Sequence, residues 1–283
     1  GTLTVGNSIA NPAGNYIAKI EDRSGKTLSS LTVHFPGIGE WASAEFRKDI
    51  ILLPFTPLKV KGSVYEMWGR RYVYDNSLFP AQIFSQDVPL LAAPCAVVAN
   101  GKEIFRGKLT PGKTENYRAE FKSTASDADC RITADSWVEY DGVSYSRFSL
   151  HAEKNLKNLK LRFVLPASIA KYLHTSIGGS WGVKLTRPVT DGRFAFGFYP
   201  MIWLGMEDKG ICFFTETNRN WTGPKNAVCT IVKNQKDAVL EINMREQLKA
   251  GENFEFEFGY VATPVKPLPA EFPFNMVGDN HTQ

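Results

Sequence analysis

The chain has 283 residues, with 33 Lys and Arg against 29 Asp and Glu, for a formal charge of +4. At 43% hydrophobic and 22% charged residues it has a globular composition, which excludes wholesale disorder and any need for disulfide or metal staples. Lys and Arg are scattered without a like-charge block, so a dedicated nucleic-acid binder is excluded, and the longest uncharged apolar stretch, around Leu90 to Val98, is too short to span a bilayer.

In chain order, Ser24-Gly25 is the first turn signal, and Glu45 to Leu53, stopped by Pro54, is a weak helix candidate. Asn100-Gly101 and Pro111-Gly112 read as hairpin turns, the second leading into a strand marked by Tyr117, Ala119 and Phe121. Ser123 to Asp129 is the most polar segment and a candidate junction between two halves. Beyond the Asp141-Gly142 turn, Leu159, Leu161, Phe163 and Leu165 alternate with Lys160, Arg162 and Val164 as a strand. Ala167 to Thr175 is the best helix candidate, ended by Gly178-Gly179. After Asp191-Gly192 come Phe194, Phe196 and Phe198, and after Ala250-Gly251 come Phe254, Phe256, Phe258 and Tyr260, each set on one strand face. Many short alternating strands with regular turns predict an all-β, antiparallel β-sandwich over residues 1–263. Pro264, Pro267, Pro269 and Pro273 make residues 264–283 a semi-rigid exit segment.

Two motif matches fail on context. Gly107 to Thr114 fits the P-loop pattern, but the alternation after it is a strand rather than a phosphate-capping helix. Gly178-Gly179-Ser180-Trp181-Gly182 has nucleophile-elbow spacing, yet Val183 to Pro188 is not helical and the only later histidine is His281. His34, His151, His174 and His281 never pair at metal-ligand spacing, so neither metal nor cofactor is expected. Cys95, Cys130, Cys212 and Cys229 form no CxxC pair and are expected as buried thiols, with a Cys212–Cys229 bridge across neighbouring strands as the alternative. Glu207-Asp208, bracketed by Gly205 and Gly210, reads as a polar hairpin tip rather than a catalytic acid pair. The segment after it concentrates hydrogen-bonding groups a core has no use for. Trp203, Glu216, Asn218, Arg219 and Trp221 are therefore the candidate residues for contact with a carbohydrate or a neighbouring domain.

The run from Trp203 to Trp221 resembles a signature of the β-rich N-terminal region of glycoside hydrolase family 123-like proteins. Ala262-Thr263-Pro264-Val265-Lys266-Pro267-Leu268-Pro269 is similar to that region's last strand and exit. Gly69-Arg70-Arg71-Tyr72, Leu78 to Ile83 and Leu90 to Pro94 are similar to its earlier part, so the likeness covers residues 65–269. The resemblance implies a supersandwich of the galactose-mutarotase-like kind, with two consecutive sandwiches joined near residues 123–129 as the runner-up. It also implies export to the periplasm, cell surface or medium, and a following (β/α)-barrel whose acid pair acts with the substrate's acetamido group. This sequence shows no βα repeats, and those catalytic residues have no counterpart in it.

The expected function is a non-catalytic sandwich of a carbohydrate-active enzyme, with a catalytic barrel of the same polypeptide as partner and a glycan as a further contact. Two rivals stay open. A self-contained sugar epimerase or lyase would draw on His151 or His174. The other is a surface adhesion or scaffold module.

Overall fold

The computed structural model describes residues 14–35, 50–175 and 186–266. The chain divides into two compact units, Gly1–Ile50 and Ile51–Gln283. In the first, β1 (Gly14–Glu21) and β2 (Thr27–Phe35) form an antiparallel hairpin. Its turn is the expected one: Asp22 Oδ1 accepts the amides of Ser24 and Lys26 while Gly25 takes φ +82°.

In the second unit every strand pairing among the described residues is antiparallel. A five-stranded sheet runs in sequence order through β3 (Lys59–Lys61), β4 (Val64–Met67), β5 (Arg70–Val73), β6 (Gln82–Ser85) and β7 (Val88–Pro89). There follow β8 (Ala93–Ala99), β9 (Lys102–Ile104), β10 (Lys108–Thr114), β11 (Arg118–Ser126), β12 (Cys130–Glu139), β13 (Ser144–Ala152) and β14 (Leu156–Pro166). Next are β15 (Tyr172–Thr175), β16 (Thr186–Pro188), β17 (Gly192–Phe196), β18 (Met201–Met206) and β19 (Lys209–Phe214). Last come β20 (Cys229–Lys233), β21 (Asp237–Leu248) and β22 (Asn253–Thr263). They assemble a nine-stranded sheet, β10-β11-β12-β13-β22-β19-β18-β15-β16, and a six-stranded sheet, β17-β20-β21-β14-β8-β9.

Period-two alternation explains the core between them. Phe254, Phe256, Phe258 and Tyr260 of β22 are all buried, as are Leu159, Leu161, Phe163 and Leu165 of β14. Phe163 meets Phe213 and Tyr260 across the sheets, with ring centres 6.2 and 6.4 Å apart. The result is the single large antiparallel sandwich expected. β13 and β22 pair from Ser144 with Tyr260 to His151 with Asn253, so early and late strands share one sheet. Residues 123–129 end β11 and turn into β12, where Asp127 Oδ1 accepts the amides of Asp129 and Cys130.

Two local expectations are corrected, and one alternative falls. Ala167 to Thr175 is no helix: Ile169, Ala170 and Leu173 are buried, and β15 is claimed on both sides by β16 and β18, so sheet pairing overrides local helical pattern. Pro111-Gly112 is not the hairpin turn, since Pro111 pairs with Phe121 inside β10 and the chain reverses at Glu115, whose amide bonds Arg118 O. β10 is an edge strand, where proline's missing N–H is tolerated, and a Cβ on Gly112 would stand 2.9 Å from Glu120 O. All four cysteines are free and buried, as expected, and the alternative, a bridge across neighbouring strands, fails because β19 and β20, which carry Cys212 and Cys229, are not neighbours in either sheet. The glycine loop Gly178 to Gly182, His281, most of Glu45 to Leu53, and the exit segment beyond Lys266 lie outside the described residues.

On the outer face of the six-stranded sheet, Glu241 accepts Lys160 Nζ at 2.8 Å and Arg162 Nη2 at 2.6 Å, and Arg162 also pairs with Glu103. Burial alone would raise the Glu241 carboxyl, but the bonds from Lys160 and Arg162 outweigh it and hold the group below its ordinary value of 4.5. A lowered folded value means stability present above pH 4.5 and lost as pH falls through the folded value, so Glu241→Gln should flatten the acid limb of unfolding free energy against pH. Phe258→Ala, at a fully buried site, should cost about 3–5 kcal/mol in urea unfolding.

Candidate functional site

The alternation that buries the aromatics of β22 turns Glu255, Glu257 and Gly259 to the opposite face of the nine-stranded sheet. There the pairings Glu120–Trp137, Trp137–Tyr145, Tyr145–Gly259 and Gly259–Phe214 draw one row across β11, β12, β13, β22 and β19. Trp137 and Tyr145 have ring centres 4.8 Å apart, and Tyr145 and Phe214 6.3 Å. Phe214 lies over Gly259, where a Cβ would stand 2.2 Å from its Cζ, so the glycine makes room for the ring. Arg118 sits 4.2 Å from the Trp137 ring centre. The adjoining row is charged, Lys122–Asp135 at 3.5 Å and Arg147–Glu257 at 3.3 Å.

Beside these rows opens a cleft of about 500 Å³, with Tyr145, Arg147, Glu216, Arg219 and Glu257 in its walls. The Tyr145 hydroxyl donates to Glu257 Oε2 at 2.8 Å. Burial, then the carboxylates of Glu257 and Glu216, push its pKa up to about 12, so it stays a donor at neutral pH. The candidate residues after β19 separate here. Glu216, Asn218 and Arg219 are exposed, and the local turn is set by Arg219 N–H to Thr217 Oγ1 at 3.1 Å and Trp221 N–H to Asn218 O at 3.1 Å. Trp221 turns inward, edge-on to Phe256 at 6.0 Å and Phe198 at 5.9 Å, and its Nε1 is buried without a partner among the described residues. Trp221 is a loop anchor on the core, not an exposed platform.

Trp203 lies apart from them, midway along the β18–β19 hairpin opposite Cys212. Its ring rests on Gly205 and Gly210, where added Cβ atoms would stand 2.5 and 2.8 Å from ring carbons, and its Nε1 donates to Thr263 Oγ1 at 3.0 Å. The Glu207-Asp208 tip is the polar turn expected from sequence. Its own backbone amide, then Lys171, holds the Glu207 carboxyl below the usual range, and Lys209 does the same for Asp208. A general acid needs the opposite shift. Burial pushes the Cys212 thiol up to about 11 and Cys229 to about 12, which makes them inert. Among the described residues no group of three His, Cys, Asp or Glu is placed to hold a metal.

Sequence reasoning missed Trp137, Tyr145, Arg147 and Trp68. The signal for the first three was present: each falls on the outward phase of a strand whose inward residues, such as Ala134, Ser136 and Val138, are small or apolar. Trp68 sits in a two-residue turn that no local pattern marks.

The family described as Glycoside hydrolase 123, third domain, matches residues 58–227, more than half of the chain. The chain belongs to this family. A domain numbered third in the glycoside hydrolase 123 description is one domain of a larger polypeptide. Among solved structures, the chain is similar to a galactose 1-epimerase from Lactobacillus acidophilus NCFM at 8% identity, over 89% of this chain and 99% of that one, with a TM-score of 0.41. It is also similar to a glycoside hydrolase family 97 enzyme variant from Pseudoalteromonas sp. strain K8 at 8% identity, over 75% of this chain and 36% of that one, with a TM-score of 0.42. No curated protein matches the chain in sequence.

The two ends of the Glu216–Trp221 loop should respond differently to truncation. Trp221→Ala should lower stability by roughly 2–4 kcal/mol, whereas exposed Arg219→Ala should change it by at most about 0.5 kcal/mol in the same urea titration.

Proposed function

We propose that this glycoside hydrolase 123 third domain is the non-catalytic sandwich of a carbohydrate-active enzyme, which docks its catalytic barrel onto the outer face of the nine-stranded sheet. The observation that carries this reading is the composition of that face. Trp137, Tyr145 and Phe214 form a part-exposed aromatic row flanked by Arg118, Arg147 and Arg219, and buried interface centres are enriched in Trp, Tyr and Arg. The rows also alternate in charge, so a partner with complementary charges would be held in one register. Chemistry belongs to the barrel in this reading. Both carboxylates of the conspicuous pair, Glu207 and Asp208, are held ionised, and His151 and His174 are each engaged with a neutral neighbour, Asn253 at 2.8 Å and Thr186 at 2.6 Å.

The purified chain should show no turnover of aryl-hexosaminides and should bind the separately produced barrel in sedimentation. Tyr145→Ala and Arg219→Glu should each weaken that association about tenfold or more, as loss of a hot-spot side chain does. Turnover by the chain alone, or association indifferent to both variants, would overturn the proposal.

A further inference from the structure

Three hairpin tips distant in sequence converge around Trp203. They are Trp68-Gly69 between β4 and β5, Gln86-Asp87 between β6 and β7, and Glu207-Asp208 between β18 and β19. With Thr263 at the end of β22 they enclose a cleft of about 520 Å³, within the range of small-ligand sites. We infer that this cleft is a binding site for a neutral sugar ring, with Trp203 as the stacking platform and the Glu207-Asp208 tip as the hydroxyl acceptor.

The platform is built in a way a core residue does not require. One face of the Trp203 ring lies on Gly205 and Gly210, the two positions of the hairpin where any side chain would collide with it. The indole N–H is taken by Thr263 Oγ1, which fixes the ring's rotation. Trp203 lines the cleft, with Trp68 in a second wall. Two tryptophans in one small cleft suit the C–H faces of a pyranose, which stack on aromatic rings and exclude water.

The polar groups decide the class of ligand. Glu207 pairs with Lys171 at 3.4 Å and accepts the Tyr172 hydroxyl at 3.2 Å, and Asp208 pairs with Lys209. Each carboxylate of the Glu207-Asp208 tip has its own ammonium partner, so this tip offers no surplus charge to an anion or a cation. What they offer is a set of ionised acceptors and donors held in place, with the Gln86 amide beside them. Such groups bond hydroxyls more strongly than neutral ones do. A neutral, polyhydroxylated ring satisfies both the aromatic walls and the paired charges.

This inference rests on the carbohydrate-active reading above but uses different residues from the docking face, so the two fail separately. The test is titration of the full chain with maltotriose, cellotriose, xylotriose and chitotriose, following the Trp203 indole N–H resonance, which Trp203→Phe identifies by its disappearance. At least one of these sugars should shift that resonance at millimolar concentration. Trp68→Ala and Asp208→Asn should each weaken binding about tenfold, an effect the size of one stacking or charge-assisted contact, with the thermal unfolding curve retained. Tyr145→Ala and Arg219→Glu should leave sugar affinity unchanged while weakening barrel association. Four silent sugars, or a sugar shift indifferent to Trp68→Ala, would overturn the inference. So would a shift produced by methylguanidinium and not by any sugar, since that would make the cleft a socket for a cationic side chain.

Discussion

Arg70 is only 3% exposed, and the hydrogen bonds of its guanidinium go to backbone carbonyls rather than to a carboxylate. It reaches Trp68 O at 3.1 Å, Asp141 O at 2.6 Å, Ala262 O at 3.4 Å and Val265 O at 2.7 Å. Burial lowers its pKa, but a guanidinium stays charged regardless, so the dipoles of those carbonyls are what make the position tolerable. In return the four bonds tie a turn of the five-stranded sheet to the β12–β13 turn and to the end of β22. Gly142 is obligatory at that turn, because it has φ +85° and a Cβ there would stand 2.2 Å from Arg70 Nη1.

A second tier of bonds reinforces the same junction. Tyr72 OH donates to Gly142 O at 2.6 Å and accepts the Ala262 amide at 3.0 Å, and Tyr74 OH bonds Tyr260 OH at 2.6 Å. Ser85 Oγ donates to Thr263 O at 2.7 Å. The small sheet is therefore joined to the large one by polar contacts made inside an apolar core, which specify a docking geometry that hydrophobic burial alone would leave loose. Two walls of the Trp203 cleft, Trp68 and Thr263, inherit their positions from this junction.

Much of this was legible in the sequence, and the limits have physical reasons. Alternation exposes itself directly, so β14 and β22 and their buried faces follow from apolar spacing alone. Asn100-Gly101 forms the expected turn, with φ of 52° and 74° at the two residues. The β15 segment misled because its apolar spacing fits a helix, and only its pairing with β16 and β18 decides otherwise. The candidate residues Trp203 and Trp221 are close in sequence and alike in type, yet one lies flat on a pair of glycines and the other plugs the core edge. That distinction depends on which neighbour leaves space, which Gly205 and Gly210 hint at and no single-residue pattern declares. Trp68 and Arg70 owe their roles to partners nearly 200 positions away, since Arg70 bonds Val265.

The position of β22 sets an order on assembly. This strand, the last one described, lies in the interior of the nine-stranded sheet, between β13 and β19. Until residues 253–263 emerge during synthesis, both neighbours present open edges, and Phe148 of β13 and Phe213 of β19 lack the β22 rings, Phe256 and Phe258, that pack beside them. Completion of the sheet is a late, long-range event, of the kind that slows folding and leaves strand edges open to mispairing in the interval. The two blocks of the nine-stranded sheet, β10 to β13 and β15, β16, β18 and β19, therefore stay unjoined until residues 253–263 have been made, however early each block forms.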